Sequence, residues 1–232
     1  MKKYIIIVAG GKGLRMNSAI PKQFIELKGK PILMHTIEKF ANVFPEIKIV
    51  IALAQELHQE WIQLCKTQNF NYDFQMAEGG ETRFHSVKNG LMLVPDICIV
   101  GVHDAARPFV NSKTITNAFE IAEKKGNAIP VIPVSESLRE VNNKNNKAVD
   151  RNKFFIVQTP QCFHSNLLRK AFLQEYRLAF TDDASVVEAI GEKINLIEGN
   201  IENMKITTPQ DLIVAETMMN LFAAEAQSRK RS

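Results

Sequence analysis

The sequence has few cysteines, and those it has are widely spaced. Cys65, Cys98 and Cys162 are odd in number and form no CxxC pair, which indicates neither a disulfide framework nor a zinc site. The five histidines also lack metal-ligand spacing, and no serine or cysteine lies in the sequence context of a nucleophile elbow. These absences argue against a zinc enzyme and against a hydrolase with a serine or cysteine nucleophile.

The sequence also lacks a long apolar run and a strong net charge. The apolar run Ile5 to Ala9 is too short to span a bilayer, and no signal-peptide cleavage pattern follows it. We therefore expect a cytoplasmic protein without a membrane partner. The 29 basic and 25 acidic residues give a net charge of +4, which is too small to indicate a nucleic-acid partner. With 45% hydrophobic residues in 232, the chain can bury one substantial core, and we expect one domain over 1–232 with an arm at about 135–160.

Runs of β-branched residues alternate with helical patterns along the chain. This alternation predicts an α/β sandwich with a mostly parallel, twisted sheet. The first run ends in a cluster of glycines, as expected of a central strand that is buried on both faces. The predicted strands are 5–9, 47–53, 97–103, 128–134 and 193–198, with a short extended piece at 204–206. The predicted helices are 32–40, 56–65, 82–93, 115–124, 165–176, 182–190 and one that begins at 208.

The alternation fails between about 135 and 160. Polar turn residues at 141–147 are flanked by extended segments at 137–140 and 148–150, which predicts a β-hairpin that projects from the sandwich. The pattern alone favours a functional arm and a surface hairpin without a role equally.

A glycine-rich loop follows the first predicted strand. Gly10, Gly11 and Gly13 allow backbone N–H groups to approach an anion. Their spacing matches neither the Walker loop nor the dinucleotide fingerprint, so a phosphate-binding loop and a plain tight turn both stay open. Arg15 and Lys22 follow closely and are candidate catalytic residues, because nucleotidyl transfer needs positive charge at the phosphorus centre. The alternative for both is an exposed surface cation.

Three further segments carry candidate binding residues. Asp104 and Arg107 follow a predicted central strand, where open α/β sheets bind ligands. Asp104 can hold a cation or a hydroxyl, and Arg107 can bind a phosphate. The alternative for Asp104 is that it caps a helix. Gly80 and Ser86 belong to a turn whose amides suit a polar base edge. Lys205 precedes the last helix and can bind phosphate, or it can lie along the surface.

These segments, in this order, resemble one family closely: the 2-C-methyl-D-erythritol 4-phosphate cytidylyltransferases of the non-mevalonate isoprenoid pathway. The resemblance runs from Tyr4 to about Glu216. It implies a Rossmann-like nucleotidyltransferase fold and the transfer of CMP from CTP to methylerythritol phosphate, with release of pyrophosphate. The segments that carry it are 9–16, 21–23, 79–86, 103–108, 150–151, 158–161, 181–184 and 203–205.

The resemblance also implies a role for each matching residue. Arg15 and Lys22 would stabilise charge at the α-phosphate of CTP, Lys205 would bind that phosphate, and Asp104 would lie beside the sugar and the Mg²⁺-bound triphosphate. The implied nucleotide-binding residues are Ala9, Gly10, Gly11, Gly13, Gly80, Glu81, Arg83 and Ser86. The implied acceptor-binding residues are Arg107, Ser137, Arg151 and Thr181.

A cofactor and a quaternary structure follow from the same resemblance. Mg²⁺ would be held mainly by the phosphates of CTP, with Asp104 as the candidate protein ligand. The chain would form a homodimer through the arm, so that Ser137 and Arg151 serve the site of the other subunit. The sequence departs from the family pattern at Gly10, where alanine is frequent, at Ser137, where threonine is usual, and at Glu81, where aspartate can occur. None of these departures removes a required charge.

Two other functions compete with this interpretation. A ribitol-5-phosphate cytidylyltransferase would share the fold and CTP; segment 103–108 favours methylerythritol phosphate, whereas Ser137 leaves the acceptor open. A non-catalytic nucleotide-binding module would share only the fold. The combination of Arg15, Lys22, Asp104 and Lys205 argues against such a module, because a protein that only binds a nucleotide does not need cations at the α-phosphate.

Overall fold

The computed structural model describes residues 1–10, 21–143 and 145–229, apart from the side chains of Lys22, Ala226 and Arg229. Its strands are β1 (Lys3–Val8), β2 (Glu26–Leu27), β3 (Lys30–Pro31), β4 (Lys48–Leu53), β5 (Phe74–Glu78), β6 (Ile99–Asp104), β7 (Asn127–Pro133), β8 (Leu138–Asn142), β9 (Asn145–Val149), β10 (Phe155–Val157), β11 (Gln161–His164) and β12 (Leu196–Glu198). Its helices are α1 (Ile32–Val43), α2 (His58–Thr67), α3 (Arg83–Leu91), α4 (Ser112–Lys125), α5 (Ser165–Ala171), α6 (Asp183–Glu188) and α7 (Pro209–Arg229). Among the described helices, none is long and apolar enough to cross a bilayer.

The central sheet has the strand order β10-β7-β11-β6-β1-β4-β5, and β12 pairs with β7. β1 is parallel to both β4 and β6, and β4 is parallel to β5. β11 is antiparallel to its neighbours β6 and β7. The sheet is therefore mostly parallel and is flanked by helices, which confirms the predicted α/β class.

The core lies on both faces of this sheet because successive strand residues point to opposite sides. In β1, the fully buried Ile5 and Ile7 pack into one core cluster with α1, α2 and α4. Ile6, between them, packs into a second cluster with α3, α5 and α6. An uninterrupted β-branched run thus forms a strand that is covered on both faces, as predicted from its composition.

Local capping determines where several helices begin. Asn111 precedes α4, and its side-chain oxygen accepts a hydrogen bond of 2.7 Å from the backbone N–H of Thr114. α4 ends at Gly126, whose φ of +90° is a conformation that favours glycine. Asp182 and Ser185 form a reciprocal capping box at the start of α6. These caps satisfy backbone groups that have no partner within a helix.

The predicted hairpin is present. β8 and β9 pair with one another in a two-stranded sheet of their own, and most of their residues are exposed. Next to the hairpin, Phe154, Phe155 and Ile156 expose about half of their surface. The hairpin therefore corresponds to the predicted projecting arm, whereas β10, which lies in the same region of 135–160, pairs with β7 at the edge of the central sheet.

Some predicted elements are wrong in extent or absent. β5, β10 and β11 were not expected, and the predicted strand at 193–198 is confined to β12. The predicted helix 165–176 ends at Ala171, and 204–206 forms no strand. β11 has only four residues and begins and ends with polar side chains, so its position inside the sheet depends on tertiary contacts that a short window of sequence does not report.

The connectivity places a crevice next to β1. From β1 the chain runs outward to β4 and β5 and then returns to β6 on the other side of β1. The parallel strands that diverge at such a point leave a crevice at their carboxyl ends. Beyond the strands, the backbone N–H of Ala105 donates to Val8 at 3.1 Å, and that of Ala9 donates to Ala52 at 2.8 Å. These bonds fix the loops that border the crevice.

Candidate active site

A cavity of about 370 Å³ lies at the carboxyl ends of β1 and β6. Among the residues that line it are two predicted catalytic residues, Asp104 and Lys205. The lining also includes Gln23, a buried side chain that sequence reasoning did not select. The predicted nucleotide-binding residues in the lining are Ala9, Gly10, Gly80, Glu81, Arg83 and Ser86. The structure therefore brings together segments 9–10, 80–86, 104 and 205 from four separate parts of the chain.

The turn before α3 forms one wall of the cavity. The backbone N–H of Gly80 donates to Ser86 Oγ at 3.0 Å, and Ser86 Oγ donates to the carbonyl of Thr82 at 3.1 Å. Thr82 is the N-cap residue of α3. The hydroxyl of Ser86 thus connects the turn to the first turn of the helix, and Gly80, Glu81 and Ser86 all line the cavity. This arrangement suits recognition of a flat, polar base edge.

The structure leaves no room for a side chain at Gly80, so a substitution there tests whether this turn is needed for nucleotide binding. A Cβ at Gly80 would lie 2.3 Å from the Cβ of His85 and 2.8 Å from its carbonyl carbon. We expect Gly80→Ala to move the turn, to destabilise the fold by about 1–3 kcal/mol, and to weaken CTP binding about tenfold, measured by titration calorimetry.

Gly10→Ala is the matched control for Gly80→Ala. Among the described residues, the nearest atoms to a Cβ at Gly10 would be the Ser86 hydroxyl oxygen, at 3.1 Å, and the Cα of Gly79, at 3.8 Å. The Ser86 hydroxyl is bonded to Gly80 and Thr82, so Gly10→Ala also strains this turn, but it meets one side-chain atom at 3.1 Å where Gly80→Ala meets backbone at 2.8 Å. The loss should therefore be smaller. Equal effects of the two substitutions would contradict the importance of this turn.

Asp104 lies at the centre of three cations. Its Oδ1 is 3.3 Å from Nε of Arg83, and its Oδ2 is 3.2 Å from Nε of Arg107 and 3.0 Å from Nζ of Lys205. Burial alone would raise the pKa of Asp104, but the positive charges of Arg83, Lys205 and Arg107 together lower the pKa well below its usual range. Asp104 is therefore a carboxylate at any pH at which the protein is used.

The surroundings of Asp104 and Lys205 exclude the alternative considered for each, which was a helix cap for Asp104 and a surface position for Lys205. Asp104 does not cap α4, because that helix begins with Asn111 as its cap. The Lys205 side chain is 41% exposed, but its ammonium group is paired with Asp104 at the cavity and does not extend along the outer surface. Both residues thus lie at the cavity.

A chain of hydrogen bonds fixes the backbone around Asp104. The N–H of Asp104 donates to Thr159 Oγ at 3.2 Å, and the hydroxyl lies 2.9 Å from Nδ1 of His103. Nε2 of His103 is 3.1 Å from the carbonyl of Arg107. Because a carbonyl only accepts, Nε2 carries the proton and Nδ1 accepts from Thr159. The sequence contains Thr159 within the family-like segment 158–161, but only the fold connects it with Asp104.

Burial of His103 predicts a pH-dependent stability. Desolvation lowers the pKa of His103 to about 4 from its ordinary 6.5, although Asp104 and the Arg107 carbonyl oppose the shift. The unfolded chain therefore binds more protons between these values, so the free energy of unfolding should fall by about 3 kcal/mol as pH drops from 6.5 through 4. Urea unfolding of the wild type and of His103→Gln across this range measures the difference. Parallel curves for the two proteins would refute this assignment.

Arg83 is held by a second carboxylate. Its two terminal nitrogens donate to Oδ1 and Oδ2 of Asp183 at 2.9 and 2.7 Å. Asp183 is fully buried at the first turn of α6. Sequence reasoning assigned no separate role to Asp183; the one available signal was its place in segment 181–184, which matches the family pattern.

The predicted acceptor-binding residues are dispersed. Arg107 donates through Nε to Asp104 and through a terminal nitrogen to the carbonyl of Asn203 at 2.7 Å, which keeps it beside the cavity. Ser137 and Arg151 lie exposed on the arm, and Thr181 is exposed before α6. The structure does not bring these last three residues into the cavity of their own chain.

Several predicted residues lie outside the described part of the chain. Gly11, Gly13 and Arg15 belong to 11–20, and for Lys22 only the backbone is described, in a short 3₁₀ helix. Across 1–10, 21–143 and 145–229, no group of three or more His, Cys, Asp or Glu side chains could hold a metal ion. The three cysteines are buried, and burial raises the pKa of Cys162 well above its ordinary value, which suits a packing role.

Comparisons with known proteins show which family the chain resembles. Residues 4–221 match the family model described as IspD, 2-C-methyl-D-erythritol 4-phosphate cytidylyltransferase. A protein of that name from Bacteroides thetaiotaomicron is 49% identical over 94% of this chain and 100% of its own length. One from Alkaliphilus metalliredigens is 38% identical over 94% of this chain and 93% of its own. The crystal structure of the Thermus thermophilus cytidylyltransferase has a TM-score of 0.75 and 31% identity, and covers 94% of this chain and 98% of that one.

Proposed function

The chain belongs to the 2-C-methyl-D-erythritol 4-phosphate cytidylyltransferase family, and we propose how its residues carry out the reaction of that family. It is a nucleotidyltransferase that transfers CMP from CTP to methylerythritol phosphate. The products are 4-diphosphocytidyl-2-C-methyl-D-erythritol and pyrophosphate, in the non-mevalonate pathway to isoprenoids. The observation that supports the residue roles is the cluster of cations around Asp104, beside the turn at 80–86 in the cavity wall.

The bond to phosphorus forms without a general base. An oxygen of the acceptor phosphate attacks the α-phosphorus of CTP in line, and pyrophosphate leaves. The attacking phosphate is already ionised near neutral pH, because its second pKa is about 6, so no proton has to be removed. His103 is buried and bonded through both ring nitrogens, so it is unsuited to such a role.

Lys205 supplies positive charge to the α-phosphate. Its ammonium group lines the cavity and is partly exposed, so it can contact an incoming phosphate while Asp104 holds it in place. Arg15 in the glycine-rich loop and Lys22 in the segment after it add charge, as the family resemblance implies. Cations that are fixed before the reaction stabilise charge that develops in the transition state.

Cytosine and ribose bind along the opposite wall. Gly80, Glu81 and Ser86 form this wall, and the loop at Ala9 and Gly10 closes it. The backbone groups of the turn would recognise the base edge, and Arg107 would contribute to the acceptor phosphate. Thr181 would contact the acceptor from the segment before α6.

Mg²⁺ is the proposed cofactor. Oδ1 of Asp104 contacts one cation, Arg83, whereas Oδ2 contacts two. A carboxylate oxygen has a second lone pair, so Oδ1 can still serve a metal that arrives with CTP and is held mainly by phosphate oxygens. Asp104 would be its protein ligand. When bound, the ion would offset the charge of the triphosphate.

The arm is the proposed dimer contact. Next to the hairpin, the edge strand β10 of the central sheet exposes apolar side chains, and a monomer rarely leaves such an edge uncovered. In a homodimer, Ser137 and Arg151 would reach the acceptor site of the other subunit. We further propose that the protein acts in the cytoplasm, without nucleic-acid or membrane partners.

Pyrophosphate release tests the function and the cofactor together. Purified protein is assayed with CTP and Mg²⁺ and with either methylerythritol phosphate or ribitol 5-phosphate as acceptor. We expect release with the first acceptor and a loss of release in the presence of EDTA. Release with ribitol 5-phosphate alone would assign the polyol reaction, and release with neither acceptor would favour a binding module.

A further inference from the structure

Arg83 contacts two carboxylates at once. Its terminal nitrogens form a bidentate pair with Asp183, at 2.9 and 2.7 Å, while its Nε donates to Oδ1 of Asp104 at 3.3 Å. Bidentate pairing fixes the plane of a guanidinium group as well as its position. The pairing with Asp183 therefore determines how Arg83 presents Nε to Asp104.

The residues on either side of Asp183 are hydrogen-bonded to the central sheet. Gln161 on β11 donates from Nε2 to Asp182 at 2.8 Å and accepts through Oε1 from the backbone N–H of Ala184 at 2.9 Å. Gln161 is the register partner of Val102 on β6, the strand that ends at Asp104. Hydrogen bonds thus connect the start of α6, where Asp183 lies, through β11 to β6, where Asp104 lies. Arg83, on α3, contacts both carboxylates.

We propose that Asp183, acting through Arg83, is a positioning residue for the Asp104 carboxylate. Arg83 occupies Oδ1 of Asp104, which leaves Oδ2 to Arg107 and Lys205. The pair thereby decides where the Lys205 ammonium lies in the cavity. This inference rests on the proposed role of Lys205 at the α-phosphate, and the nucleotide-binding role implied for Arg83 does not account for it.

Removal of either partner misplaces Lys205. In Asp183→Asn, Asp104 is the one carboxylate that Arg83 still contacts. The Arg83 guanidinium group then binds both oxygens of Asp104 and competes with Lys205 for Oδ2. In Arg83→Gln, Oδ1 loses its cation and Asp104 is drawn towards Lys205. A displacement of about 1 Å in a catalytic group can lower a rate about 100-fold, so we expect kcat/KM to fall about 10- to 100-fold in each single variant.

The double variant Arg83→Gln with Asp183→Asn separates positioning from stability. Arg83→Gln leaves Asp183 as an unpaired buried charge, which lowers the melting temperature. In the double variant that charge is gone, and the two amides can bond to one another. We expect its melting temperature to return towards that of the wild type while kcat/KM stays about 10-fold or more below it. Recovery of both quantities would overturn the proposal, because the pair would then act only on stability.

Titration calorimetry with CTP gives a readout that does not depend on turnover. We expect the Kd for CTP to rise about tenfold in Asp183→Asn and in the double variant. If the wild type binds CTP but releases no pyrophosphate, the proposed function fails, and the CTP affinities still test the positioning role. Wild-type affinity and wild-type kcat/KM in Asp183→Asn would refute that role while leaving the proposed function intact.

Discussion

Replacement of Lys205 by alanine is expected to lower kcat/KM for CTP about 100- to 1,000-fold. The ammonium group lines the cavity and lies 3.0 Å from Oδ2 of Asp104. Its removal takes away charge from the α-phosphate and leaves Asp104 with one cation fewer. Because the charge on the α-phosphate group grows in the transition state, most of the loss should appear in kcat. Steady-state kinetics at saturating Mg²⁺ measure this split.

Two control variants define what the Lys205 result means. Lys205→Arg keeps the charge and should retain more activity than alanine. Lys113→Ala removes an exposed lysine whose partner Glu198 is also exposed, and it should leave kcat/KM unchanged. If Lys205→Ala lowers kcat/KM less than about threefold, Lys205 is not the phosphate-binding lysine.

Mixing two inactive variants is expected to restore activity if the arm serves the other subunit. Arg151→Ala removes a cation from the arm, and Lys205→Ala removes one from the cavity. In a heterodimer of these chains, one site carries both defects and the other carries none. Random exchange of subunits should therefore restore about one quarter of wild-type activity per site. Pyrophosphate release after co-refolding, compared with each variant alone, measures the recovery.

The control mixture combines two defects of the same cavity. Lys205→Ala with Asp104→Asn gives heterodimers in which every site lacks one required group, so no recovery is expected. If the Arg151→Ala mixture also shows none although native mass spectrometry detects the heterodimer, the arm does not complete the partner's site. That outcome would place Arg151 in its own subunit's site or outside any site.

The elements with strong local patterns were predicted correctly. The β-branched runs of β1 and β4 predicted central strands, and the apolar periodicity of α1 and α4 predicted helices close to their observed bounds. β11 could not be predicted in this way. A four-residue strand with polar ends has no periodic signal, and its neighbours β6 and β7 are distant in sequence.

The sequence by itself determined the class of fold, the family and the identity of most cavity-lining residues, because these depend on residue types in a fixed order along the chain. Only the tertiary structure decided which groups touch. Arg83 and Asp183 are a hundred positions apart, yet the Arg83 guanidinium lies within 3.3 Å of the carboxylates of both Asp183 and Asp104. Such contacts arise because β6, α3 and α6 meet at one end of the sheet. Charge pairing acts through space at short range, so it follows from the packing of elements and is not encoded in any local segment.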